Sequence, residues 1–310
     1  MDTLHQSAPP NLLDRAGSEL KRRYVRTSSG LDLAYAESGA GAPIILIHGT
    51  LTAAEDLMLG LGDALAPRHR VIAFDRPGFG RSGVRRLRDA GIHSQAASLL
   101  EGLEALGIEC PILVGHSFGA SVAVAMAIDA PDRIGGVVAL APLVLPEPRA
   151  EQALFGPRSV PGAGDVLALV ANGTGDRALL PSLWHAMFLP QVMPERVLAN
   201  FPFAIAGTSD ASVRVGEDAI AAPSDLTRIL ATARNCPVPV RILGGDRDIV
   251  VRNGANGRML AALMPNATYK DLPGLGHMIQ HFAVDDIVEV IGEIANQPSR
   301  RNLGPEAAAG

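Results

Sequence analysis

The clearest structural signal in this sequence is one segment around a serine, Ile112-Leu113-Val114-Gly115-His116-Ser117-Phe118-Gly119-Ala120. Its apolar start, without alternation, is typical of a strand covered on both faces, and it leads directly into Gly-x-Ser-x-Gly and a helix of small residues. In so sharp a strand-to-helix turn the two backbones approach closely, so the residues two positions on either side of the serine must be small. Gly115 and Gly119 meet that requirement. The turn lifts the Ser117 hydroxyl clear of the sheet and directs the amino end of the helix toward it.

Further apolar runs on both sides of this segment predict the rest of a parallel sheet. The additional parallel strands are predicted over 43–47, 71–74, 137–140, 238–243 and 268–272. Two antiparallel strands are predicted before them, over 24–27 and 31–35. Helices are predicted over 55–65, 93–106, 117–129, 256–264 and 285–295. Strands that alternate with helices in this way are typical of βαβ units and an α/β fold.

The alternation stops in the middle of the chain and divides it into parts. Within residues 142–235 no clear strand is found, and apolar side chains recur at spacings of three and four, as on one face of a helix. We therefore predict a helical cap over 142–235, inserted between the two parts of a core domain at 21–141 and 236–296. A loosely ordered leader is expected over 1–20 and a flexible tail over 297–310.

Composition and charge exclude several classes of protein. Of the 310 residues 47% are hydrophobic and 19% are charged, which excludes a largely disordered chain. The net charge of −5, with no long basic block, argues against a nucleic-acid partner. No apolar run is long enough for a membrane span and no signal peptide is recognised, so we expect a cytoplasmic protein with no membrane partner, as a monomer or small homo-oligomer. Two cysteines far apart exclude a disulfide scaffold and a cysteine-rich metal site.

With its serine elbow, the sequence resembles the α/β-hydrolase superfamily from about residue 23 to residue 295, and looks most like the serine esterase and haloperoxidase-like branches that need no cofactor. This resemblance implies a mostly parallel twisted sheet with helices on both faces. It also implies the catalytic order nucleophile, acid, histidine, each on a loop at the carboxyl end of a strand. The segment Asp75-Arg76-Pro77-Gly78-Phe79-Gly80-Arg81-Ser82 resembles the superfamily loop after the fourth strand, and we interpret it as architectural.

The same resemblance implies which residues complete a triad with Ser117. The segment Gly244-Gly245-Asp246-Arg247-Asp248-Ile249-Val250 is similar to the family's Gly-x-x-Asp followed by an apolar pair, which selects Asp248, with Asp246 as the alternative. The segment Pro273-Gly274-Leu275-Gly276-His277-Met278 is similar to the family's Gly-His loop and selects His277. His281 is expected on a helix surface near the pocket edge, because a glycine-rich loop before His277 and the lack of an adjacent glutamate argue against a zinc site.

These residue types suit acyl transfer. A serine hydroxyl needs a neighbouring base near neutral pH, an imidazole supplies it, and a carboxylate fixes the tautomer of that imidazole and stabilises its cation. The developing oxyanion needs donors already in place. One is expected to be the N–H of Phe118, and by resemblance to the family's His-Gly-x loop the second is the N–H of Thr50, with Leu51 as the alternative. This chemistry requires no cofactor and no metal.

The substrate is predicted from the apolar side chains of the cap. A mostly apolar pocket with a few polar groups is typical of small-molecule sites, so we expect substrate contacts from Leu51, His116, Trp184, Phe188 and Met278. The sequence therefore predicts a serine hydrolase that cleaves carboxylic esters of lipophilic or medium-sized substrates through an acyl-enzyme. Three other reactions suit the same triad, namely lactone opening, perhydrolysis and C–C bond hydrolysis. A hydrolase-fold ligand-binding protein with negligible turnover is a further alternative.

Overall fold

The computed structural model describes residues 11–18 and 20–297 of the chain. Within these residues one sheet contains eight strands in the order β1-β2-β4-β3-β5-β6-β7-β8. β1 pairs with β2, and β2 with β4, in antiparallel fashion, while all other neighbouring strands are parallel. The strands are β1 (Arg23–Arg26), β2 (Asp32–Ser38), β3 (Ala42–Ile47), β4 (His69–Phe74), β5 (Ile112–His116), β6 (Gly136–Leu140), β7 (Val240–Gly245) and β8 (Ala267–Leu272).

Helices cover both faces of this sheet and fill the segment between β6 and β7. Those of the core are α1 (Ala54–Leu57), α2 (Asp63–Leu65), α3 (Ile92–Ala105), α4 (Phe118–Asp129), α11 (Asn253–Leu263) and α12 (Val284–Ala295). Those of the segment between β6 and β7 are α5 (Ala150–Phe155), α6 (Ala163–Gly173), α7 (Asp176–Phe188), α8 (Glu195–Asn200), α9 (Phe203–Ala206) and α10 (Ser209–Thr232). The predicted α/β fold, with a mostly parallel sheet, is therefore confirmed.

The central strands are buried on both faces, which explains their uninterrupted apolar sequences. In β3 the side chains of Ile45 and Ile47 pack into one cluster together with residues of α3 and α4. Those of Ile44 and Leu46 pack into a second cluster together with residues of α1 and α12. Successive residues of one strand thus serve opposite layers, and the carboxyl ends of β3, β5, β7 and β8 emerge between those layers.

The segment predicted as one helix over 55–65 is interrupted. α1 is followed by a π-helical turn, Met58–Gly62, in which Leu59 (φ −67°, ψ 99°) and Gly60 (φ 94°, ψ −60°) leave the helical conformation before α2 begins. Glycine enters the left-handed region at little steric cost, so Gly60 permits the break that the apolar periodicity alone does not reveal.

The segment between β6 and β7, residues 141–239, is called the insertion from here on, and it contains all of 142–235. Its last helix, α10, has 24 residues with Pro223 inside it. No helix bounds are predicted within 142–235, so the length of α10 was not predicted. α10 contacts α3 and α4 of the core, which anchors one end of the insertion on the sheet layers.

The described part of the predicted leader, residues 11–18 and 20, differs from the loosely ordered segment expected over 1–20. Leu12 is buried in a cluster that contains Trp184, Phe188, Phe201 and Phe203, called the aromatic cluster of the insertion from here on. The side chain of Asn11 donates to the carbonyl of Arg177 at 2.7 Å. An apolar side chain that completes a cluster has a physical reason to be ordered. Residues 1–10 and 19 of that leader, and 298–310 of the predicted tail, lie outside the described residues.

Among the helices of the described ranges, none is long and apolar enough to cross a membrane. The two cysteines, Cys110 and Cys236, do not form a disulfide with each other.

Candidate active site

The backbone at Ser117 forms a strained turn between β5 and α4. Ser117 has φ 54° and ψ −119°, in a region that residues other than glycine seldom occupy. A Cβ built on Gly115 would lie 2.3 Å from the carbonyl oxygen of Gly119, and one on Gly119 would lie 2.2 Å from that of Ile47. Both positions therefore require glycine, for the close backbone approach that the sequence predicts.

The carboxylate of Asp248 lies beside the imidazole of His277. Asp248 Oδ2 is 2.7 Å from His277 Nδ1, and its Oδ1 accepts hydrogen bonds from the amides of Val250 (2.7 Å) and Val251 (2.9 Å). Burial opposes ionisation of Asp248, but the charge of His277 and these hydrogen bonds outweigh it and lower the pKa of the carboxyl. An ionised Asp248 holds His277 with Nδ1 protonated, which leaves Nε2 free to accept a proton.

Asp246, the alternative acid, serves a different contact. Its Oδ1 accepts a hydrogen bond from the amide of Gly274 at 2.6 Å, in the loop before His277. The geometry therefore pairs Asp248, not Asp246, with His277. Asn253 also donates to Asp248 Oδ2, at 2.5 Å, a contact that the sequence analysis missed.

His116, which precedes Ser117 in the chain, lies against His277. The rings of His116 and His277 have centroids 4.7 Å apart, and His116 Nε2 donates to the carbonyl of His277 at 3.1 Å. Burial and the nearby His277 lower the pKa of His116 to about 4, so His116 is neutral near neutral pH. No hydrogen bond joins Ser117 Oγ to His277 within the described residues, and in enzymes without substrate such bonds are often long.

A buried polar cluster lies behind His277. His281 Nε2 donates to Asp56 Oδ1 at 2.9 Å, and Gln280 Nε2 donates to Asp56 Oδ2 at 3.0 Å. Burial opposes ionisation of Asp56, but its bonds to His281 and Gln280 lower its pKa. His281 is only 4% exposed, so the expected position on a helix surface is wrong: Asp56 supplies a buried partner that the sequence spacing did not reveal.

The two residues expected to supply the oxyanion donors lie at the same cleft as Ser117. Thr50, in the loop after β3, and Phe118, the first residue of α4, both line the same cleft as Ser117. Neither amide donates a hydrogen bond to any other residue that the structure describes. The first amides of a helix have no partner within it, so the Phe118 N–H is available to an anion.

The cleft beside Ser117 is narrow, with a cavity volume of about 30 Å³, and part of it is open to solvent. One wall is a face of α10, formed by Val215, Asp218, Ala219, Ala222 and Leu226. The rim carries charged side chains, among them Glu147, Arg149 and Glu151. The α10 wall of the cleft is therefore apolar except for Asp218, and further charged side chains line the rest of the cleft.

None of the five side chains expected to contact substrate lines this cleft. Leu51, Trp184, Phe188 and Met278 are buried together in one cluster, closed in part by Leu12. Trp184 Nε1 donates to the carbonyl of Leu51 at 2.9 Å, and Phe188 stacks on His281 with ring centroids 5.5 Å apart. His116, the fifth, is fully buried against His277.

Two buried residues next to the site were not selected from the sequence. Arg76 has no exposed surface and forms an ion pair of 2.9 Å with Asp218 of α10. Burial raises the pKa of Asp218 and lowers that of Arg76, and the charge of each opposes the shift of the other. Arg76 belongs to the segment interpreted as architectural, whereas nothing in the sequence around Asp218 distinguishes it.

The comparison with protein families identifies the fold. A family model described as the alpha/beta hydrolase fold matches residues 42–284, which include Ser117, Asp248 and His277. Among solved structures, the enol-lactonase of Burkholderia xenovorans LB400 superposes with a TM-score of 0.70 at 22% identity, covering 89% of this chain and 100% of that one. At this identity the likeness concerns the fold.

Two curated relatives align over different lengths. The dihydrolipoyllysine-residue acetyltransferase component of the acetoin cleaving system of Cupriavidus necator is 36% identical over 115 residues, 37% of this chain but only 30% of that protein. RutD of Klebsiella pneumoniae, whose name proposes carbamate hydrolysis, is 26% identical over 237 residues, 76% of this chain and 85% of its own.

Proposed function

This chain belongs to the α/β-hydrolase fold family, and we propose that it hydrolyses carboxylic esters of lipophilic or medium-sized substrates with Ser117 as nucleophile. The observation that carries the proposal is the contact between Asp248 and His277, 2.7 Å long, beside a serine held in a strained elbow. A carbamate shares the acyl carbon of an ester, so the name of RutD is compatible with this class of reaction.

The proposed reaction uses these groups in two steps. Ser117 Oγ attacks the ester carbonyl carbon while its proton passes to Nε2 of His277, and Asp248 stabilises the resulting imidazolium. The tetrahedral oxyanion accepts hydrogen bonds from the amides of Thr50 and Phe118. Its collapse breaks the bond to the alcohol oxygen, which takes the proton from His277.

Water then completes the cycle. It attacks the acyl carbon and gives its proton to His277, and collapse of the second intermediate returns that proton to Ser117 Oγ and releases the acid. The insertion acts in this proposal as a cap, because its helix α10 forms a wall of the cleft. The apolar face of α10 favours a hydrocarbon chain as the part of the substrate that lies there.

The test is hydrolysis of p-nitrophenyl esters of increasing acyl length by the wild type and by Ser117→Ala. We expect wild-type turnover that Ser117→Ala lowers by about 10⁴-fold or more, because the nucleophile is removed. Ser224→Ala, at an exposed serine of α10, is the matched control and should leave the rate unchanged.

Two outcomes would contradict the proposal. A wild type no faster than Ser117→Ala, with ester binding retained in equilibrium dialysis, would indicate a binding protein. Rapid turnover of a lactone or of a C–C substrate, with esters ignored, would keep Ser117 as nucleophile but overturn the ester assignment.

A further inference from the structure

Arg76 contacts three parts of the site, namely the start of α4, the loop after β3 and helix α10. Its side chain follows β4, has no exposed surface, and lies between the rings of Phe79 and Phe118, with Cζ 4.2 Å and 4.7 Å from the two ring centroids. Its guanidinium also reaches the loop after β3 and helix α10. A buried arginine that contacts both expected oxyanion loops is in a position to set their geometry.

The first contact is with the carbonyl of Gly49. Arg76 Nη2 donates to this oxygen at 3.0 Å, and Thr52 Oγ1 donates to it at 3.1 Å. His48 Nδ1 lies 2.9 Å from the same oxygen, and His48 Nε2 accepts the backbone N–H of Arg76 at 3.0 Å. Because Nε2 is an acceptor, Nδ1 carries the proton and donates to Gly49. Burial and the charge of Arg76 lower the pKa of His48 to about 3, which keeps this neutral tautomer.

Three donors therefore fix the direction of one peptide plane. The bond between Gly49 and Thr50 is trans, since the only cis bond among the described residues is Leu189-Pro190. In a trans peptide the N–H points opposite to the C=O, so the donors on Gly49 aim the Thr50 N–H away from Arg76. A Cβ on Gly49 would lie 3.2 Å from that of Ser117, which places this peptide directly against the nucleophile.

The other contact ties Arg76 to the insertion. Arg76 Nη1 donates to Asp218 Oδ2 at 2.9 Å and to Gln95 Oε1 at 2.7 Å, while Gln95 Nε2 donates to Asp218 Oδ1 at 2.7 Å. The three side chains form a closed ring in which Asp218 supplies the negative charge. Since Asp218 also lines the cleft, the position of α10 and that of the guanidinium depend on each other.

Stability alone is a weak explanation for this arrangement. Removing an arginine and an aspartate from water costs free energy that their attraction often only balances, and well-packed apolar residues frequently replace such pairs without loss. An oxyanion hole, in contrast, needs donors held in place before the charge develops.

We propose that Arg76 is a positioning residue that orients the Gly49–Thr50 peptide toward the oxyanion, and that Asp218 of the insertion holds Arg76 in that orientation. The inference rests on the proposed function, because it assigns a role to the oxyanion hole of that reaction. It makes the insertion a contributor to transition-state binding as well as a wall of the cleft.

The test compares two buried ion pairs of the same kind. Arg158 and Asp176 of the insertion are joined by bonds of 2.7 Å and 2.8 Å, and Arg158 Cζ lies 4.8 Å from the ring of Phe155. The variants are Arg76→Lys and its matched control Arg158→Lys. A lysine ammonium keeps the charge but cannot reproduce the planar fork that reaches two acceptors at once.

Each variant is assayed for kcat and KM with the best ester and for Ki with a trifluoromethyl ketone analogue. The ketone adds to the serine and places an oxyanion in the hole, so its affinity reports on the donors directly. For Arg76→Lys we expect kcat/KM to fall by about 10- to 100-fold, through kcat, with a parallel rise in Ki. Arg158→Lys should lose stability on urea unfolding while both constants stay at wild-type values.

The same measurements on Asp218→Asn and Asp176→Asn cover the case in which Arg76→Lys does not fold. Asparagine keeps the shape and an acceptor but removes the charge. Asp218→Asn should therefore lower kcat/KM by less than Arg76→Lys does, again with a parallel rise in Ki. Equal behaviour of the two pairs, or a fall in kcat/KM with unchanged Ki, overturns the inference and leaves the ester hydrolase intact. If the wild type shows no ester hydrolysis that depends on Ser117, both this inference and the proposed function are overturned.

Discussion

The loops at the carboxyl edge of the sheet and the helical insertion above them hold their residues in different ways. In the loops, backbone geometry fixes each group: Ser117 occupies a strained turn, and Asp248 accepts two backbone amides. In the insertion, side chains pack on side chains, as where Trp184 meets Phe203 edge to face at 4.9 Å. The first arrangement tolerates few sequences, whereas many apolar residues could build the second.

This difference assigns separate tasks to the two regions. Groups held by the backbone keep the spacing that a reaction needs, and α10 shapes the space into which the rest of the substrate fits. Arg76 and Asp218 form one of the contacts between the two regions. Substitutions in the loops should therefore change the rate for every substrate, while substitutions on the cleft face of α10 should change the preference among substrates.

The largest effect is expected from the acid of the candidate triad. Asp248→Asn should lower kcat by about 10⁴-fold, because an amide favours the wrong tautomer of the histidine and cannot stabilise its cation. Asp246→Asn is the matched control in the same loop: it retains an oxygen to accept the amide of Gly274. The measurement is kcat for p-nitrophenyl acetate with both variants.

The control should remain within about twofold of the wild type, far from the loss expected for the triad. If Asp246→Asn lost as much activity as Asp248→Asn, it would be wrong to describe Asp248 as a single catalytic acid held in place by backbone amides. The loop as a whole would then be the catalytic element.

Much of the first region was predictable from sequence, for a physical reason. Gly115 and Gly119 are required because a Cβ at either position would clash with backbone atoms. The requirement is therefore visible in the sequence as a Gly-x-Ser-x-Gly motif. The alternation of Ile44 to Ile47 between two clusters likewise leaves an uninterrupted apolar run. Steric necessity of this kind leaves a local pattern that sequence reasoning can recover.

The second region was predicted only as helical, and its side chains were assigned to the wrong surroundings. An apolar stripe shows that one face of a helix is buried but not what it packs against. Trp184 and Phe188 pack against Leu51 and His281, contacts that join positions far apart in the chain. Asp218 could not be selected from the sequence, because its role depends on Arg76, which lies 142 positions earlier.

A tenfold change in preference is expected from the cleft face of α10. Ala219 lines the cleft, so Ala219→Leu should shorten the space for a chain and lower kcat/KM for long acyl esters relative to acetate by about tenfold. Ala231→Leu, the same substitution at an exposed position of α10, is the matched control. Rates over a series of acyl lengths give the comparison.

A uniform loss over all lengths with Ala219→Leu would mean that α10 acts on the reaction centre and not on the chain. A shift of preference with Ala231→Leu would mean that the helix moves as a unit, so that the cleft face is not the determinant. Either result would remove the division between the two regions.

The smallest change in activity is expected from the aromatic cluster of the insertion. Trp184→Phe removes the donor to the carbonyl of Leu51 and leaves that buried oxygen unpaired, at a cost of about 1–3 kcal/mol in unfolding free energy, measured by urea denaturation. Because Trp184 does not line the cleft, kcat/KM should change by less than about threefold and by the same factor for short and long esters. A change in the ratio between long and short esters would instead show that Trp184 contacts the substrate, and the insertion would then select through its aromatic rings as well as through α10.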